Sequence, residues 1–113
     1  MLDDLGILEG MEPRKELRQV TKLMEFRLRE NDWKSHWSGV SISDLAYEMH
    51  QKAHQAELLS DTESLRLVRA AIDTANYAMM VVDNWLRKNT PPTEVLIGSL
   101  RSKDKPSGKE SSR

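Results

Sequence analysis

The chain contains no cysteine in its 113 residues. Disulfides and thiolate chemistry are therefore excluded, and a reducing compartment is the default expectation. Glycine (5) and proline (4) are too scarce for the many tight turns of a sandwich or barrel, while charged residues make up 31% of the chain. That balance favours helices. No apolar run approaches the roughly 20 residues needed to cross a bilayer. The formal net charge of −1 provides no overall field to attract nucleic acid or an anionic membrane. The opening MLDDLGILEG is acidic and lacks the basic stretch of a signal peptide. The expected compartment is the cytoplasm, that of the host if the chain is viral, with no membrane partner and with nucleic acid disfavoured. No Gly-rich phosphate loop, nucleophile elbow or Cys/His framework occurs.

What the sequence does contain is helical periodicity. Residues 1–12 form an acidic arm. Pro13 suits a first helical turn, where its missing N–H would be unpaired in any case. From there to about residue 31, Leu17, Val20, Met24 and Leu28 recur three and four apart, and Arg14, Lys15, Arg18, Lys22, Arg27 and Arg29 occupy the other face. Asn31 to Ser41 reads as a loop that Trp33 and Trp37 pin to the core. Ser41 to Asp44 resembles a capping box, which predicts a second helix over about 42–59 with Ile42, Leu45, Met49, Ala53, Ala56 and Leu59 inward.

Ser60 to Glu63 reads as another capping box, and a third helix is expected from residue 61 or 62 to 88. Its seam is Leu65, Val68, Ile72, Ala75, Met79, Val82 and Leu86, with a second apolar stripe at Leu67, Ala71, Ala78, Val81 and Trp85. Two stripes call for two partners. Asn89 to Pro92 ends this helix, 93–100 is expected to form a short one, and 101–113 is a polar, basic tail of disordered composition. The expectation is an all-α antiparallel helical bundle over 13–100, completed by self-association into a dimer or tetramer.

Polar groups interrupt the third helix. Asp73, Asn76, Met80 and Asp83 share one side, away from the seam. They make either a half-wet face, with Asp73 paired to an arginine of the first helix, or a cleft in which Asp73 holds a divalent cation. Spacing alone favours the former. His50 and His54 have the spacing of a zinc helix, but Gln51 stands where the base glutamate would be, so the pair reads as solvated.

The segment AIDTANYAMMVVDN, Ala71 to Asn84, resembles the second signature helix of MazG-like all-α nucleoside-triphosphate pyrophosphohydrolases, nearest to the small phage and bacterial dATP/dGTP diphosphohydrolases. The resemblance rests on Asp73, Ala75, Asn76, Tyr77, Ala78, Met79, Met80, Asp83 and Asn84, and it extends over about residues 20 to 88 through LRENDWKSHW, Leu28 to Trp37. It implies an acidic cage in which two carboxylates from each of two helices hold Mg²⁺ against a triphosphate. This sequence departs from that pattern. Ala70 stands three before Asp73, and the first metal helix offers Lys52 and Gln55, or Gln51 and His54 in the next register. Of the four expected carboxylates only Asp73 survives.

The resemblance thus implies a MazG-like protein with an eroded metal site. It would bind a nucleotide or a host protein without catalysis and without a cofactor, in a regulatory or inhibitory role if viral. Lys52, Gln55, Asp73, Asn76, Tyr77 and Trp37 are its expected nucleotide-binding residues. The alternative is an active (d)NTP pyrophosphohydrolase using Mg²⁺ at Asp73, with Glu48, Glu57, Asp83 and His54 as substitute ligands. A third reading is a helical nucleic-acid-binding module using the first helix and the tail.

Overall fold

The computed structural model describes residues 8–31, 36–62 and 64–101. Every regular element among them is helical. Helix α1 spans Lys15–Glu30, a 3₁₀ turn spans Trp37–Gly39, α2 spans Ile42–Leu58, α3 spans Leu65–Asn89 and α4 spans Thr93–Leu100. Trp33, Glu63 and the tail beyond Arg101, all named in the sequence reading, lie outside the described residues. The chain divides into a unit of residues 13–90 and a second unit drawn from its two ends, whose described part holds residues 8–12 and α4. Where the sequence suggests one domain to residue 100, α4 groups with the chain ends. Among the described residues, no helix is long and apolar enough to cross a membrane.

Within 13–90, α3 is the axis. Helix α2 packs along it most extensively, and α1 and the 3₁₀ turn also rest on it. Both neighbours run antiparallel to it. Arg27 of α1 reaches Asp73, while the earlier Met24 is met by the later Asn76. On α2, Lys52 and Gln55 share a cleft with Arg69 and Asp73, whereas the earlier Glu48 lies with the later Tyr77.

Local chemistry sets the helix ends. The Ser41 hydroxyl accepts from the Asp44 N–H at 3.1 Å, which starts α2 as its sequence signature predicts. Helix α3 begins later than expected. Its cap is Ser64, whose hydroxyl accepts from the Arg66 N–H at 2.9 Å. The hydroxyls of Ser60 and Thr62 instead donate to the Glu57 and Leu59 carbonyls at 2.8 and 2.7 Å. Those carbonyls lie at the end of α2 and also accept the N–H groups of Ser60 and Thr62 at 3.2 and 3.0 Å, so the expected second capping box serves the helix before it. At the far end, Thr90 adopts a left-handed conformation (φ 40°, ψ 61°) and donates its N–H to Leu86 at 2.9 Å. Pro91 follows and prevents further helix.

The buried face of α3 differs from the one its apolar spacing predicts. Its buried residues are Ala70, Asp73, Asn76, Met80 and Asn84. They recur three and four apart, and Leu45 of α2 is likewise buried, at 1% exposed. The expected seam remains partly open: Leu65 is 83%, Val68 47% and Val82 57% exposed. At 100° per residue the centres of the seam and of the buried face lie about 130° apart around the helix. Polar residues take the inner face because each has a partner there, Asp73 through both oxygens and Asn76 and Asn84 through their amide nitrogens, which offsets part of the usual cost of burial.

Candidate functional site

Asp73 is the residue to which both the helix pattern and the family resemblance lead. It is 7% exposed. Arg27 grips it with two hydrogen bonds, Nε to Oδ1 at 2.8 Å and Nη2 to Oδ2 at 3.1 Å. This is the two-pronged guanidinium–carboxylate geometry, the strongest form of charged hydrogen bond in proteins. The Asp73 carboxylate holds the Arg27 pKa above its usual value. Arg27 therefore does not belong to the solvated basic face on which its spacing places it. It turns inward because a buried carboxylate awaits it, and the pairing of Asp73 with an arginine of the first helix is what the structure contains.

Around this pair opens a cleft of about 410 Å³ between α2 and α3. Lys52, Gln55, Leu58 and Leu59 line it from the α2 side, and Arg66, Arg69, Ala70 and Asp73 from α3. The helix period explains the grouping. Lys52, Gln55 and Leu59 stack on successive turns of one helix, and Arg66, Arg69 and Asp73 on the other. Two of the expected nucleotide-binding residues, Lys52 and Gln55, thus share a cleft with Asp73. Arg66 and Arg69 were not singled out by the sequence, because an arginine in the first turns of a helix carries no motif of its own.

The other expected site residues lie elsewhere. Tyr77 lines a separate cleft of about 420 Å³ with Val40, Asp44, Leu45, Tyr47 and Glu48. Burial first, then the charges of Glu48 and Asp73, raise the Tyr77 pKa. Asn76 donates its amide to the Met24 carbonyl at 3.1 Å and so fastens α1. Asn84 donates to the carbonyls of Trp37 and Val40 at 3.1 and 2.9 Å, fastening the 3₁₀ turn. Among the described residues, neither buried amide oxygen has a donor. Trp37 donates its indole N–H to Asp83 Oδ2 at 2.9 Å, and Arg87 Nε donates to the same oxygen at 2.9 Å. Arg87 and then Trp37 lower the Asp83 pKa. Asn76 and Trp37 therefore make structural contacts in place of lining the Asp73 cleft.

The proposed substitute ligands do not converge. Glu48 is in the Tyr77 cleft, Asp83 is engaged by Trp37 and Arg87, and Glu57 is exposed, with one oxygen 3.7 Å from His54 Nδ1. Among the described residues, no three His, Asp or Glu side chains gather as a metal-ligand set. Mg²⁺ requires several oxygen donors. The Asp73 cleft offers one carboxylate, already paired, beside Arg27, Lys52, Arg66 and Arg69. These residues do not fit the cation that the resemblance implies. The chain matches no family model, no curated protein and no solved structure.

Proposed function

We propose that this chain is a MazG-like helical protein that binds a nucleotide and does not hydrolyse it. The observation that carries this reading is the Arg27–Asp73 pair. The one carboxylate that corresponds to the family cage is neutralised by a guanidinium at 2.8 Å. A metal would have to displace that guanidinium and would then face the repulsion of Lys52, Arg66 and Arg69. The loss of acid on α2, where Lys52 and Gln55 stand, points the same way.

Self-association accompanies this reading. The open seam of α3 and the exposed Leu17, Val20, Leu23 and Phe26 of α1 present apolar side chains at helix–helix spacing, which a second copy of the chain would cover. The test of catalysis is pyrophosphate release from each deoxynucleoside triphosphate with Mg²⁺ or Mn²⁺. The expected result is no turnover above the protein-free control. Robust turnover that vanishes in Asp73→Ala would overturn the proposal.

A further inference from the structure

The charge of the α2–α3 cleft is inverted relative to a metal cage, and that inversion specifies a ligand. We infer that the cleft binds a chain of phosphates directly, without a divalent cation. This deepens the nucleotide-binding reading and rests on it.

Arg27 is engaged by Asp73 and contributes no net charge with it. Lys52, Arg66 and Arg69 remain. Within the described residues no hydrogen bond or ion pair occupies their side-chain heads. Three cations thus line one cleft of about 410 Å³ with no unpaired anion among its lining residues. Leu58, Leu59 and Ala70 supply apolar wall beside them, and a low-dielectric wall strengthens the field of the cations over that of a flat surface. Ala70, 5% exposed, leaves room where a glutamate would introduce charge of the wrong sign.

Arginine heads bind phosphate oxygens through two parallel N–H donors, and lysine supplies a point charge. Two arginines one turn apart on α3, facing a lysine on α2, can grip successive phosphates from both sides. A free polyphosphate carries more negative charge than its Mg²⁺ complex. The cleft should therefore prefer the uncomplexed anion, the reverse of a pyrophosphohydrolase.

The test is calorimetric titration of the full chain with inorganic tripolyphosphate, and separately with deoxyadenosine triphosphate, at low salt in EDTA and in excess Mg²⁺. Saturable binding of tripolyphosphate in EDTA, weakened about fivefold or more by Mg²⁺, is the expected result. Equal affinity for the two ligands, or tighter binding of the nucleotide, both agree with it. Arg69→Glu and Lys52→Glu, at positions outside the buried core, should each weaken binding about tenfold or more while leaving the helical circular dichroism unchanged. Saturable binding of deoxyadenosine triphosphate with none of tripolyphosphate would overturn the inference while leaving the nucleotide-binding reading intact, and no binding of either ligand at low salt would overturn both. Binding that requires Mg²⁺ and is accompanied by pyrophosphate release would overturn both. Binding unchanged in the two charge-reversal variants, or a single-stranded oligonucleotide bound more tightly than tripolyphosphate, would overturn the cleft assignment.

Discussion

On one side of α3, Asp73, Asn76 and Asn84 are buried, and each reaches a different part of the chain: Arg27, Met24 and the Trp37–Val40 turn. On the other side, Leu65, Val68 and Val82 stand substantially exposed. The polar side supplies direction. A hydrogen bond or bidentate ion pair fixes which residue of α1 lies against which residue of α3, whereas apolar contact alone tolerates sliding. The apolar side has no such directional group to offer.

That contrast can be broken at several points. The largest effect should come from Met80→Ala at the buried face. The side chain is 1% exposed, and its truncation should destabilise the chain by about 3 kcal/mol in urea unfolding. The matched change on the open face, Leu65→Ala, should stay within about 0.5 kcal/mol. Asn84→Ala comes next, at about 2 kcal/mol, because the Trp37 and Val40 carbonyls lose the donor they share. Faster amide exchange at Val40, whose N–H bonds to the Trp37 carbonyl, would report loosening of that turn.

A smaller effect concerns pH. Because Arg87 and Trp37 lower the Asp83 pKa, the folded state favours the ionised carboxylate. Its contribution is therefore present above the ordinary aspartate value of about 3.9 and is lost as the pH falls through the lower folded value. The stability difference between the wild type and Asp83→Asn should be flat above about pH 5 and shrink below it. The smallest effect on the single chain should come from Val82→Glu, within about 0.5 kcal/mol. Sedimentation equilibrium should nonetheless show this variant shifted toward monomer if a second copy covers the seam.

The helices were legible because apolar spacing, the Ser41 cap and the Pro91–Pro92 stop are local signals. The inner face of α3 was not. Spacing puts Asp73 and Asn76 on a half-wet face, and only their distant partners make full burial favourable. Arg27 was hidden for the same reason. It shares its helix with four other cations, Lys15, Arg18, Lys22 and Arg29, with Arg14 at the cap, and nothing in their spacing marks it as the one that turns inward. For the cleft, Lys52, Gln55 and Asp73 could be named through the family pattern, but Arg66 and Arg69 enter only once α2 and α3 are laid antiparallel.

The central claim is that Asp73 serves as a structural partner of Arg27 and is not held ready for a metal. A double-mutant cycle with Arg27→Met and Asp73→Leu, measured by urea unfolding with and without Mg²⁺, tests it directly. Each single change should cost about 3 kcal/mol, and the double change should cost much less than their sum, with a coupling of about 2 kcal/mol that Mg²⁺ does not alter. An Asp73→Leu variant as stable as the wild type, or a wild type stabilised by Mg²⁺ in a manner that Asp73→Leu abolishes, would contradict the account.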